Sequence, residues 1–248
     1  MRVIPKPFQD FLERLRLFLA TTRHRRRRRA ACVCSAANSV FCMTTEPTTQ
    51  PVLTPERLAS AYTYARYRQL IDELQADGKT TGPQQSAELT EYTHLNVQRM
   101  QRLDKTTRVL PELAAAVQAL PQRYEWLIIT EGWCGDAAQI VPVLEAVAQA
   151  SGGNIRTHYL LRDENPDLMD RYLTNGARSI PQLVVVHADT LTEAAHWGPR
   201  PVPAQTLLLD LKAQGATHEE YAEKIHGWYA KDKTQTTQHE LLALVKGL

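Results

Sequence analysis

"YEWLIITEGWCGDAAQ", residues 124–139, decides how this chain is read. The apolar run Trp126 to Thr130 reads as a strand, and the pattern from about Asp136 to Ala150 reads as a helix. Trp133 and Cys134 therefore fall at a strand-to-helix turn. A cysteine at a helix N-terminus faces unpaired backbone N–H groups and the positive end of the macrodipole, both of which favour thiolate over thiol. A free thiol with a pKa of about 8.5 is only ~3% ionised at pH 7, whereas one shifted to about 7 is half ionised, so placement decides reactivity. Three residues on, where a redox pair would carry its second sulfur, stands Ala137.

The rest of the chain bounds what that sulfur serves. With 248 residues, 43% of them hydrophobic and 23% charged, the chain can bury one good core and a small accessory layer. The net charge of +2 is unevenly spread: residues 1–42 hold 10 Lys+Arg and 2 Asp+Glu, which leaves 29 − 10 = 19 basic and 27 − 2 = 25 acidic residues beyond them, a net −6. An acidic body argues against nucleic acid as a partner. Past Met43 the one cysteine is Cys134, so no disulfide framework can form within the body, which suits a cytoplasmic location. No apolar run approaches the roughly 18 residues of a membrane span, so no membrane partner is expected for the body.

Residues 1–42 form a basic arm with Phe8, Phe11, Leu12, Leu15, Phe18 and Leu19 at helical spacing, then a run of arginines from Arg25 to Arg29. The plainest reading is an untranslated or disordered leader, with the polar segment from Met43 as the true start; a targeting peptide and a basic interaction arm are the alternatives. Cys32 and Cys34 with Cys42 could bind a soft metal, but two fixed ligands and an irregular third are a weak signal, and no metal is expected.

Beyond the arm, a helix is predicted from about Thr54, as N-cap before Pro55, to Leu74, and a second from about Glu88 to Leu103, with a Gly/Pro loop between them. Tyr62, Tyr64 and Tyr67 are assigned to core packing rather than to a binding surface. A short helix at Pro111 to Leu120 precedes the strand, turn and helix already described. Strand "IRTHYLL", the acidic loop "RDENPD", a helix over Leu168 to Leu173, strands at "PQLVVV" and "EAAHWG", and a helix over Ala204 to Gln214 follow. Helices at His218 to Ala230 and His239 to Val245 close the chain. This order predicts an α/β fold with a mixed sheet flanked by helices. The domain plan is a basic arm 1–42, a helical extension 43–108, a central domain 109–214 and C-terminal helices 215–248.

Several of these features together resemble the thioredoxin superfamily, specifically a bacterial single-cysteine group with a WCGD motif. Trp133-Cys134-Gly135 matches the front of the family's WCGPC motif, Pro142 falls where its helix carries a proline, "SIP" (Ser179 to Pro181) matches its cis-proline segment, and Gly198 falls in its glycine region. The resemblance covers residues 109–214 and implies a thioredoxin-like fold with extra N-terminal and C-terminal helices. It also implies a cis Ile180-Pro181 bond beside the sulfur, with backbone free to pair with an extended substrate, and Trp133, Gly135, Ser179, Ile180 and Pro181 as substrate-binding residues.

The departures define the expected chemistry. Ala137 in place of the resolving cysteine excludes internal release of a mixed disulfide. The family's buried carboxylate falls at Ile128, and Asp136 replaces the motif proline. Asp136 is read either as a first-turn acid that stabilises the helix or as a catalytic proton relay to a leaving thiolate, while its charge opposes ionisation of Cys134. The expectation is a monothiol thiol-disulfide oxidoreductase with Cys134 as nucleophile, a client protein or low-molecular-weight disulfide as partner, and no cofactor beyond an external low-molecular-weight thiol as co-substrate. A redox-inactive binding module and a thiol redox sensor are the alternatives. His158, His187 and His196 have no metal-site spacing, "HELLA" from His239 lacks the second histidine of a zinc protease, and Arg162, Asp163 and Glu164 read as a solvated loop.

Overall fold

The computed structural model describes residues 53–248, so the expectations for the basic arm and its cysteines lie outside the described residues. Four strands, β1 (Tyr124–Thr130), β2 (Ile155–Leu161), β3 (Gln182–His187) and β4 (Glu193–Trp197), form one sheet in the order β2-β1-β3-β4. β1 pairs parallel with β2 and antiparallel with β3, and β3 pairs antiparallel with β4. Trp126, Leu127, Ile128 and Ile129 of β1 are all fully buried. An unbroken apolar run is what a central strand covered on both faces requires.

The helices are α1 (Pro55–Ser60), α2 (Tyr64–Ala76), α3 (Ala87–Thr106), α4 (Pro111–Gln118), α5 (Gly135–Ala150), α6 (Pro166–Met169), α7 (Val202–Ala213), α8 (His218–Asp232) and α9 (Gln235–Val245). α5 crosses from β1 to β2 and is buried along both its faces from Ala137 to Leu144. Its outer face is covered by α3, α4 and α9, which explains a helix that is apolar nearly all round. Burying each Val, Leu or Ile there contributes about 1.5–3 kcal/mol.

Two predicted helices are corrected. The single helix from Thr54 to Leu74 is two: Thr54 caps α1 through Arg57 N–H, and Thr63 caps α2 through Arg66 N–H. Between them Tyr62 is extended and exchanges both backbone hydrogen bonds, each 2.9 Å, with Tyr159 on the outer edge of β2. Strand pairing at Tyr62 thus overrides the helical periodicity. Tyr67 is buried and stacks on Tyr159, and Tyr64 packs against the same ring. The helix expected over Leu168 to Leu173 stops at Met169 and continues as tighter turns to Tyr172, before Asn175 and Gly176, at positive φ, close a tight turn between Thr174 and Ala177.

The turn that carries the cysteine is anchored from below. Glu131 is fully buried; its Oε1 accepts the Asp163 N–H at 3.0 Å and its Oε2 accepts the Thr81 hydroxyl. Thr81 Oγ1 accepts Gly132 N–H at 2.8 Å, and Asn96 Nδ2 donates to Gly132 C=O at 3.0 Å. The loop before α3, α3 itself and the β2–α6 turn all fasten to this corner. Burial raises the Glu131 carboxyl to a pKa of about 7, outweighing the two hydrogen bonds that lower it. The carboxylate beneath the turn is therefore Glu131, not a residue at position 128.

Gly198, at φ +141°, lies so close to the Pro181 carbonyl that a Cβ would come within 2.5 Å of it. Gly198→Ala is expected to lower stability by at least about 2 kcal/mol, read from urea unfolding. Glu131 has a raised folded-state pKa, so the stability it contributes is fully present below its ordinary value of 4.5 and is lost as pH rises through about 7. Glu131→Gln should remove from this window a pH dependence on the order of 3 kcal/mol. Parallel pH–stability profiles for the two proteins would refute the assignment.

Candidate functional site

Cys134 is the N-cap of α5. Its Sγ accepts the Ala137 N–H at 3.4 Å and donates to the Ile180 carbonyl at 3.4 Å. The placement matches the expectation, but its consequence does not. With 8% of its surface exposed, the thiol is pushed up to a pKa of about 12, first by burial and then by the charge of Asp136. The Ala137 N–H and the Arg200 cation pull the other way and are outweighed. In this conformation the sulfur is a protonated thiol at neutral pH.

Asp136 is held on both oxygens. Arg200 Nη2 lies 2.6 Å from Oδ2, and the Tyr229 hydroxyl donates to Oδ1 at 2.8 Å. Arg200 comes from the loop after β4 and Tyr229 from α8, so this carboxylate ties both to the first turn of α5. One turn earlier on α8, His226 lies over Gly135: a Cβ on Gly135 would come within 2.8 Å of its ring. Burial and the neighbouring Arg99 lower the His226 pKa to about 4, leaving the ring neutral at pH 7. Any side chain at position 135 would therefore have to displace the His226 ring, a constraint the motif alone does not disclose.

In front of the sulfur lies a cavity of about 350 Å³, walled by Trp133, Ser179, Ile180, Leu208, Tyr221 and Ile225 among others. The Ile180-Pro181 peptide bond is cis. The backbone expected to be free there is partly occupied: Ile180 C=O receives the thiol, Ser179 N–H donates to Ala177 C=O at 2.9 Å, and Ser179 C=O accepts Gln182 Nε2 at 3.0 Å. Arg162, read from sequence as part of a solvated loop, instead lies 4.7 Å over the Trp133 ring and lines the cavity, while Asp163 holds Glu131.

Sequence reasoning also missed Arg200, Tyr229 and His226. Only the i, i+3 spacing of His226 and Tyr229 on one predicted helix marked them, and nothing local connected that helix to Cys134. Of the histidines singled out in the sequence, His158 pairs with Glu125 on the neighbouring strand, His196 with Glu193, and His187 lies 2.9 Å from Gln122. Glu240 accepts Trp197 Nε1–H and Val202 N–H. Among the described residues no three His, Cys, Asp or Glu side chains are grouped to hold a metal ion, and no helix is long and apolar enough to cross a membrane.

A family model described as thioredoxin matches residues 82–240. Thioredoxin 1 of Nostoc sp. is 38% identical over 53 residues, 21% of this chain and 47% of its own length. Thioredoxin of Thiocapsa roseopersicina is 42% identical over 53 residues, 21% of this chain and 55% of its own. The chain spans about half the length of the curated relatives it matches. Among solved structures, an HIV epitope-scaffold superposes with a TM-score of 0.50 at 16% identity, covering 78% of this chain and 97% of that one. A Pseudomonas aeruginosa protein of unknown function gives 0.49 at 15%, covering 77% and 96%. A cysteine capping the helix that follows a central strand, a cis-proline segment beside it, and a family match over well more than half the sequence lead to one conclusion: the chain belongs to the thioredoxin family.

Proposed function

We propose that this protein performs monothiol thiol-disulfide exchange through Cys134, in the cytoplasm, on a low-molecular-weight disulfide or on the mixed disulfide of a client protein with such a thiol. The observation that carries the reading is the cavity of about 350 Å³ that opens on the sulfur and is walled by α8. Its size suits a small ligand. α8 also crowds the approach that an extended polypeptide would need along Ile180.

In this reading Cys134 is the catalytic residue. Its proton leaves to solvent as the site opens to substrate, and the thiolate attacks one sulfur of the disulfide. The S–S bond breaks, a new bond forms to Cys134, and the departing thiolate takes up a proton. An external thiol then attacks the adduct and frees Cys134, because Ala137 offers no internal sulfur. Trp133, Gly135, Ser179 and Ile180 line the cavity beside the sulfur, and Pro181, outside that lining, sets the cis bond after Ile180. Asp136 acts as a positioning residue: it holds α8 in place and biases Cys134 toward the protonated form. A second reading, a redox-inactive binding module, is favoured by the raised thiol pKa.

The two readings separate on adduct formation. Wild type should form a stable mixed disulfide with a small disulfide and fail to turn over insulin, whereas Ala137→Cys, one helical turn away, should release the adduct. Mass spectrometry of both proteins checks this; a folded protein that forms no adduct leaves the binding module. Alkylation of wild type by iodoacetamide should still be accelerating at pH 10, with no plateau near pH 7–8. Asp136→Asn removes the second-largest cause of the raised pKa and should speed alkylation at pH 8 by roughly tenfold.

A further inference from the structure

The body of this protein is acidic, yet the cavity at the sulfur is not. Arg162, Arg178, Arg200 and Lys212 line it, against Glu88 and Asp136. Of these, Asp136 and Arg200 pair at 2.6 Å, Arg162 pairs with Asp163 at 2.8 Å and Arg178 with Asp170 at 2.7 Å, so the contrast rests on Lys212, without an ion pair among the described residues, and on two guanidinium groups whose carboxylate partners lie outside the lining. The cations are held at defined places. The guanidinium of Arg162 lies 4.7 Å from the centroid of the Trp133 ring, its Nε donates to Asp163 Oδ1 at 2.8 Å, and its Nη1 donates to the Arg178 carbonyl at 3.5 Å. Arg178 precedes Ser179 and Ile180, and it leans on Asp170, which lies outside the cavity lining. Lys212, in the last turn of α7, has its Nζ 5.2 Å from the centroid of Tyr221 on the opposite wall and forms no ion pair among the described residues. Arg99, whose Nη1 would lie 4.0 Å from a Cβ on Gly135, hydrogen-bonds Asn96 and likewise has no ion pair. Four cations and two carboxylates line this cavity within an acidic body, and such a local excess attracts anions more strongly than the net charge suggests.

We infer that the small molecule exchanged at Cys134 is a disulfide of a carboxylate-bearing thiol, its acid groups taken up by Lys212, Arg178 and Arg162. This rests on the monothiol reading above and adds the chemical class of its substrate. The exchange balances as before: the thiolate displaces a carboxylate-bearing thiolate from its disulfide and becomes the mixed disulfide, and the released thiolate is protonated by solvent. The aromatic and aliphatic walls supplied by Trp133, Tyr221, Leu208 and Ile225 accommodate the carbon skeleton between the acid groups.

The test uses the full chain and three symmetric disulfides that differ in charge: 3,3′-dithiodipropionate, bis(2-hydroxyethyl) disulfide and cystamine. The rate of adduct formation at Cys134 is measured for each by mass spectrometry. Dividing by the rate with N-acetylcysteine amide, a neutral thiol, removes the differing intrinsic reactivity of the three compounds. The expected order is dianion over neutral over dication, with a normalised dianion-to-dication ratio of about tenfold or more at low salt. This ratio should fall severalfold at 0.5 M salt. Lys212→Glu and Arg178→Glu, both at exposed positions, should each compress it at least severalfold. A flat or reversed order, or a ratio untouched by salt and by both variants, overturns the assignment and leaves monothiol exchange standing. Failure of all three disulfides to form an adduct on folded protein overturns both.

Discussion

The arrangement turns on one carboxylate. Asp136 stands in the first turn of α5, where a negative charge complements the helix dipole, and it is gripped by Arg200 from one side and Tyr229 from the other. Three stretches far apart in sequence thereby converge on the residue beside the thiol: the motif helix, the loop that follows β4, and α8. Because both side chains of the ion pair are largely buried, removing one partner leaves the other charge uncompensated, which is far costlier than losing a surface pair. The cover over Cys134 is consequently not an incidental packing of the C-terminal helices but one fixed at the motif itself.

That cover sets two opposing effects against each other at one sulfur. The helix N-terminus and the Ala137 N–H favour thiolate by amounts in the range of 0.3–1 kcal/mol for an exposed terminus. Burial costs the charged form several kcal/mol, and Asp136 adds to that cost. Burial wins. In this conformation the reactivity of such a thiol is set by access as much as by ionisation.

Much of the fold was legible because β1 and α5 carry their own signals: an apolar run too short for a helix, then a helical pattern with a cysteine at its start. Thr54 as a cap, strand Ile155–Leu161 and the helical character of residues 218–232 were readable for the same local reason. The break at Tyr62 was not, since it depends on hydrogen bonds to Tyr159, nearly a hundred residues away. The site divides in the same way. Trp133, Cys134 and Gly135 sit in a motif, whereas Arg200, His226 and Tyr229 belong to the site only through tertiary packing. Glu131 was in plain view beside the motif, yet its burial depends on Thr81 and Asp163, which come from elsewhere in the fold. The thiol's pKa was misjudged because a helix terminus can be recognised in a sequence and its covering cannot.

The pairing of Tyr62 with Tyr159 has a reach beyond the path of the N-terminal helices. It occupies backbone groups on the outward side of β2, which would otherwise present an open ladder to any passing strand. The ladder is interrupted at Tyr159, in the middle of that border, so the accessory segment hinders edge-to-edge association of a second copy there as well as forming a packing layer. The far border is short by contrast, since β4 offers only five residues beside a helix that already contacts it.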